Sequence, residues 1–239
     1  MRFYRSLSPI KAMTFDLDDT LYNNEPVIQN AEQQLTSYIA EHYPLASAMS
    51  QQQWLAIKHK LIQTEPALAS DMGQLRMRTL QQALAQDVSD EPALSEAAKA
   101  CFDCFYHARS AFTLSDSVHS VMQALAQKVP LVAITNGNVD PHTTGLAPHF
   151  KMIFHASVTR PAKPARHMFD ETAALLNIKP EQILHVGDNL EKDVKGAIDA
   201  GFQAAWFAAN RPMDLRKEPV TVLPHVALTQ LENLILLVD

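Results

Sequence analysis

Two carboxylates, two positions apart, open the chemistry of this sequence. Asp16 and Asp18 stand in Phe15-Asp16-Leu17-Asp18-Asp19-Thr20, directly after the apolar segment Ala12-Met13-Thr14-Phe15. In an extended strand, residues at that spacing share a face. If the strand ends at Asp16, the loop that follows can still turn both side chains toward one centre. Carboxylates gathered in this way repel each other unless a cation offsets their charge. Three further clusters offer partners for such a centre: Thr135-Asn136-Gly137, Lys163-Pro164, and Gly187-Asp188-Asn189 with Asp193. Taken singly, most are plain. Thr135-Asn136-Gly137 fits an ordinary turn, Lys163 a solvated surface, and Asp193 the first turn of a helix, where negative charge is favoured. Asp188 is harder to explain that way, because an acidic residue beside Gly at the end of an apolar run is a poor choice for a core.

The elements that must position these residues come next. Lys11 to Phe15, Pro130 to Ile134 and Gln182 to Val186 are short apolar runs, and each ends at one of the polar clusters. Such runs read as buried strands whose carboxyl ends open into a site. Lys151 to Val158 and Gln203 to Phe207 read as further strands, with a short strand and a last helix after Val226. Between them, Ser117–Gln127, Pro141–Leu146, Pro164–Leu176 and Glu191–Ala200 carry helical patterns, the last closed by Gly201. Alternating apolar strands and helices imply a parallel sheet covered on both faces. From about Tyr22 to Phe112 the pattern is helical throughout, over Pro26–Tyr43, a segment from Ser50, Pro66–Gln86 and Glu91–Arg109. The chain thus reads as an α/β core of residues 1–21 and 113–239 split by an all-helical insert of residues 22–112. An insert placed just after the first strand sits over the crevice at the carboxyl ends of the sheet.

Bulk properties narrow the function. With 47% hydrophobic and 19% charged residues, the chain can bury a substantial core and is not disordered. A net charge of −6 argues against a general nucleic-acid or anionic-membrane binder. No run approaches the length of a membrane span, and the start lacks a secretory signal. The two cysteines, Cys101 and Cys104, lie in a helical stretch with no second pair to complete a zinc site. Unpaired thiols fit a reducing cytoplasm. The oligomeric state is left open.

The set Asp16-Leu17-Asp18-Asp19-Thr20, Thr135-Asn136-Gly137, Lys163-Pro164 and Gly187-Asp188-Asn189 with Asp193 resembles, in order, the four motifs of the haloacid-dehalogenase superfamily. Within it, the chain resembles phosphatases with a helical cap inserted after the first motif. Its length, its first motif and His185-Val186-Gly187-Asp188-Asn189 are similar to bacterial phosphatases of FMN and of the ribitylamino-pyrimidine phosphate of riboflavin synthesis. The resemblance implies a Rossmann-like core, Mg²⁺ as cofactor and a small phosphate ester as substrate. It implies Asp16 as nucleophile and Asp18 as general acid and base, with Asp16, Asp188 and the backbone carbonyl of Asp18 on the metal. It further implies Thr135, the backbone near Asn136, and Lys163 at the phosphoryl group, with Asp193 and Asn189 supporting them. Dehalogenases of the superfamily attack carbon and do not need an acid two residues on, so Asp18 argues for phosphoryl transfer. A phosphomutase of the β-phosphoglucomutase type, or a phosphatase for another sugar or nucleotide phosphate, shares the same motifs. A non-catalytic binding module is disfavoured, because every charged residue of the set is retained. Arg76 and Arg78 in the insert are candidate contacts for an anionic or planar ligand, with a solvated helix face as the alternative.

Overall fold

The computed structural model describes residues 1–238. Seven strands form one sheet: β1 (Arg2–Phe3), β2 (Ala12–Phe15), β3 (Leu131–Thr135), β4 (Met152–His155), β5 (Ile183–Gly187), β6 (Gln203–Trp206) and β7 (Val226–Ala227). Their order is β1-β7-β6-β5-β2-β3-β4, and every pairing is parallel except that of β1 with β7. Parallel strands covered on both faces must be apolar at nearly every position. Accordingly β2, β3, β5 and β6 are buried along their whole length.

Period-two alternation splits the strand residues between two cores. Met13, Phe15, Leu131, Ala133, Leu184 and Val186 face α6 (Asp116–Ala126) and the C-terminal Leu231 and Leu234. Ala12, Val132, Ile134, Ile183, Ala204 and Trp206 face α7 (His167–Leu176) and Val194 and Ala197. Each fully buried Leu, Ile or Phe among them contributes roughly 1.5–3 kcal/mol of transfer free energy. Thr14 and His185 are the polar members of this second face, and both are fully buried.

Between β2 and β3 the chain is helical: α1 (Glu25–His42), α2 (Pro44–Ser47), α3 (Gln51–Thr64), α4 (Met72–Leu84) and α5 (Glu91–Ser110), with a 3₁₀ turn at Pro66–Ser70. These helices have their own apolar centre of Ala31, Leu35, Ile39, Leu80, Leu84, Ala98, Cys101 and Phe105. Ser50 opens α3 with a reciprocal capping box to Gln53. Two contacts join this block to the loop after β4. Ala162 N–H donates to Ser70 Oγ at 3.0 Å, and Val158 packs against Leu61, Leu68 and Leu75.

Three local readings of the sequence differ from the structure, and one strand escapes them. The last helix expected after Val226 is a 3₁₀ helix, Leu231–Leu237. The stretch 141–146 forms turns, not a helix, followed by a 3₁₀ turn at Ala147–His149. Residues 191–200 are not one α-helix: Leu190–Lys195 is a π-helical turn, and α8 covers only Gly196–Asp199. The N-terminal β1 has two exposed residues and no apolar pattern, so only its pairing with β7 reveals it. No helix among the described residues is long and apolar enough to cross a membrane.

Candidate active site

In this sheet β2 is flanked by β5 on one side and β3 on the other. Chain connections leave β2 in opposite directions, which opens a crevice at the carboxyl ends of these three strands. Asp16 follows β2, Thr135 ends β3, and Asp188 follows β5, so the clusters read from the sequence meet there. Carboxylate oxygens of Asp16, Asp188 and Asp193 all lie within 4.8 Å of one another.

Lys163 is the positive centre of this group. Its Nζ donates to Asp16 Oδ1 at 2.7 Å and to the Ile134 carbonyl at 2.6 Å, and it stands 2.7 Å from Asp193 Oδ1. An ammonium has three protons, and three oxygens surround this one. Burial pushes Lys163 down, but Asp16 and Asp193 outweigh it and hold the ammonium above its ordinary pKa. Asn136 fixes the backbone that carries Lys163: its Nδ2 donates to the Lys163 carbonyl at 3.0 Å, and its Oδ1 accepts from Lys163 N–H at 2.8 Å. Thr135 is buried, and its Oγ1 accepts from Gly137 N–H at 3.0 Å.

Burial pushes the Asp16 carboxyl well up, and the charges of Asp193 and Asp18 add to this against the pull of Lys163. Asp188 is pushed up to about 6, by burial first and Asp193 second. Anionic oxygens crowded to that extent fit a hard divalent cation, which binds carboxylates. Asp16 and Asp188 could hold one, since Lys163 engages only Oδ1 of Asp16 and Arg211 only Oδ2 of Asp188. Asp193 is committed elsewhere: besides Lys163, its Oδ1 lies 3.2 Å from His185 Nε2, and its Oδ2 accepts from Asn189 N–H at 2.9 Å. Lys163 and His185 overcome the effect of burial and hold Asp193 below the carboxylate range. Asn189 Oδ1 caps the π-helical turn by accepting from the N–H groups of Glu191 and Lys192.

Asp18 lies beside this cluster, a quarter exposed. Its Oδ1 accepts from Arg109 Nη2 at 2.5 Å and from the Tyr22 hydroxyl. The following residue, Asp19, turns into the left-handed region at φ 61°, which Asp tolerates better than most residues. Ala209 N–H donates to the Asp19 carbonyl at 2.7 Å, and Asn24 N–H to its Oδ1 at 2.9 Å, so the turn that carries Asp18 is tied at both ends.

Several members of the site escape a reading of the sequence. Thr20 Oγ1 lies 3.4 Å from Asp16 Oδ2. Arg211 Nη1 donates to Asp188 Oδ2 at 2.7 Å and is itself held by Glu218. Trp206 Nε1 donates to the Asp188 carbonyl at 2.7 Å. Arg109 and His185 did leave a signal. Arg109 falls on the stripe Leu94, Ala98, Cys101, Phe105 that α5 buries, and His185 interrupts an apolar strand. Arg76 and Arg78 have partners within the helical block. Arg76 pairs with Glu32 and stacks over Phe105, and Arg78 pairs with Glu65. A cavity of about 620 Å³ lies among α1, α3 and α4, lined by Leu35, Trp54, Lys58 and Arg76, and none of the acidic cluster borders it. Cys101 and Cys104 are free thiols, and burial pushes Cys101 up to about 11.

Comparison with known proteins bears on this geometry. Residues 10–201 match the haloacid dehalogenase-like hydrolase family. The 5-amino-6-(5-phospho-D-ribitylamino)uracil phosphatase YigB of Escherichia coli is 35% identical over 98% of both chains. The phosphoserine phosphatase of Thermus thermophilus is 27% identical over 88% of this chain and 94% of its own. Among solved structures, a 2-haloacid dehalogenase from Pseudomonas syringae superposes with a TM-score of 0.87 at 30% identity, over 95% of this chain and 97% of that one. The chain belongs to the haloacid dehalogenase-like hydrolases and is a phosphatase of that family.

Proposed function

We propose that the chain hydrolyses a small phosphorylated metabolite in two steps through an aspartyl-phosphate on Asp16. Uncatalysed phosphate-monoester hydrolysis is among the slowest reactions in water, and a carboxylate nucleophile divides it into two easier steps. In the first step an Asp16 oxygen forms a bond to phosphorus as the bond to the leaving alcohol breaks, and Asp18 gives that alcohol a proton. In the second, Asp18 takes a proton from water, whose oxygen attacks phosphorus and frees Asp16. The Lys163 charge, enclosed and fixed, offsets part of the negative charge at Asp16. Thr135 and the backbone near Asn136 are the donors for phosphoryl oxygens. Mg²⁺ held by the side chains of Asp16 and Asp188 and the backbone carbonyl of Asp18 would supply the Lewis acid that lets an anionic ester approach an anionic nucleophile. Asp193 and Asn189 support this arrangement, Asp193 by fixing Lys163.

The observation that carries the reading is the convergence of Asp16, Asp188 and Lys163, with Asp18 alongside. Asp18 also separates the reading from dehalogenation despite the likeness to a dehalogenase structure. Residues 22–112 then act as a cap over a core of residues 1–21 and 113–239. The likeness to YigB supports a substrate from riboflavin synthesis, either 5-amino-6-(5-phospho-D-ribitylamino)uracil or FMN. The free cysteines suit a cytoplasmic setting.

The test is a panel of phosphate esters assayed for released phosphate, with Mg²⁺ and with EDTA, using the natural chain and Asp16→Asn. The ribitylamino-uracil phosphate or FMN is expected to lead the panel, and activity is expected to vanish in EDTA and in the variant. Sugar-phosphate isomers formed without phosphate release would identify a mutase instead. Full turnover by Asp16→Asn would remove the proposed nucleophile.

A further inference from the structure

We infer that Arg109 is a positioning residue that locks Asp18 so that its Oδ2, and not its Oδ1, exchanges the proton with the leaving alcohol and the attacking water. The inference rests on Asp18 being the general acid and base. Arg109 lies in the last turn of α5 and is 2% exposed. Its Nη2 donates to Asp18 Oδ1, and the Tyr22 hydroxyl donates to the same oxygen. A carboxylate oxygen has two lone pairs in the carboxyl plane, so two donors fill Oδ1. Neither contact touches Oδ2. That oxygen lies over the α-carbon of Gly137, where a Cβ would come within 2.5 Å of it and 3.4 Å of Thr135 Oγ1. Oδ2 therefore faces the end of β3, beside a residue proposed to hold the phosphoryl group.

A guanidinium this buried is costly unless its donors are used. Here Nη1 is buried and has no hydrogen-bond partner among the described residues. A pair kept only for stability would be expected to satisfy both ends of the fork. What Arg109 does reach, through Nη2, is one oxygen of one acid, 91 residues away in sequence and across the junction between the helical block and the sheet, and at 3.4 Å the Tyr22 hydroxyl that shares that oxygen. In the first step the proton on Oδ2 passes to the leaving oxygen as the P–O bond breaks and the bond to Asp16 forms. In the second, Oδ2 takes a proton from water as the new P–O bond forms and the bond to Asp16 breaks. A carboxyl free to rotate would present Oδ2 only part of the time.

The experiment is a double-mutant cycle with Mg²⁺ and an alkyl phosphate, using Arg109→Met, Asp18→Asn, the double variant and Arg109→Lys. General acid–base catalysis is worth about 10²–10⁴-fold, and loss of its alignment is expected to cost on the order of tenfold in kcat. KM should stay within about twofold. In the Asp18→Asn background, Arg109→Met should have no further effect. Arg109→Lys keeps the charge without the planar fork, and it should lose kcat as well. If Arg109→Met does not fold, Arg109→Lys and Tyr22→Phe take its place in the cycle, with the same expectation. Multiplicative losses, a loss confined to KM, or natural kcat in folded Arg109 variants would overturn the inference. Natural turnover by Asp18→Asn would instead overturn the reading of Asp18 itself.

Discussion

At Asp193 one carboxylate organises a buried relay of four side chains. The Thr14 hydroxyl lies 2.7 Å from His185 Nδ1, His185 Nε2 lies 3.2 Å from Asp193 Oδ1, and that oxygen meets Lys163 at 2.7 Å. Asp193 is held ionised, so the proton of the imidazole belongs on Nε2, and Nδ1 accepts from Thr14. Burial pushes His185 below its ordinary 6.5, and the nearby Lys163 adds to this against the pull of Asp193, so the fold disfavours the charged ring. An unfolded chain takes up a proton there as pH falls below about 6.5, whereas the folded chain does so only at lower pH. Stability from this group is therefore present above that value and lost as pH falls, by up to about 1.4 kcal/mol per pH unit. Urea titrations at pH 7 and pH 5 should show the decline, and His185→Gln should make it shallower. An identical decline in the variant would mean that His185 is charged or hydrated in the folded protein. Asp16, Asp18 and Asp188 are legible in the sequence because they stand at the ends of apolar runs, whereas Lys163 and Asp193 are legible only through their order among the four motifs. Thr14 and Tyr22 are not, and Arg109 and His185 show only as polar residues on buried faces, because the roles of all four depend on distances between residues far apart along the chain.

At the scale of elements, the π-helical turn after β5 decides the geometry. An α-helix from Glu191 was the natural reading of its sequence. Val194 N–H instead reaches the Asn189 carbonyl at 3.2 Å, while Asp193 N–H bonds the same carbonyl at 2.9 Å. The widened turn folds the Asp193 side chain back over Gly187, so that it can collect Lys163, His185 and Asn189 N–H together. Turns of this kind often occur at functional sites. Periodicity in sequence does not distinguish a π turn from an α turn within six residues. The bare α-carbon at Gly187 is what makes room, since a Cβ there would lie 2.3 Å from Asp193 Cγ. Gly187→Ala must displace Asp193 and, through it, Lys163. Misplacement by about 1 Å can cost on the order of 10²-fold in rate, and overpacking costs about 1–3 kcal/mol in stability. Measured kcat should fall by that order while circular dichroism retains the native fold. A variant with natural kcat would show that the π turn is not needed to place Lys163.

For the molecule as a whole, the broad architecture was readable because parallel strands must be apolar throughout and the helical block interrupts them cleanly. Its electrostatics lead to a further expectation. The chain carries a net charge of −6, and its proposed substrate, a phosphate ester, is an anion. Lys163 is buried and already paired with Asp16 and Asp193, so it projects little attraction into solvent. Arg109 and Arg211 are likewise paired, with Asp18 and Asp188. At about 0.01 M ionic strength the Debye length is roughly 30 Å, and an approaching phosphate feels the repulsion of the entire protein. At about 0.15 M it is roughly 8 Å, and only the groups lining the crevice act. Encounter with a dianionic substrate should thus improve with salt. With Mg²⁺ held saturating, kcat/KM for a dianionic ester should rise or stay level as KCl increases over this range. A several-fold fall would mean that an exposed positive surface steers the substrate, and the crevice would then extend to cations beyond the paired ones described here.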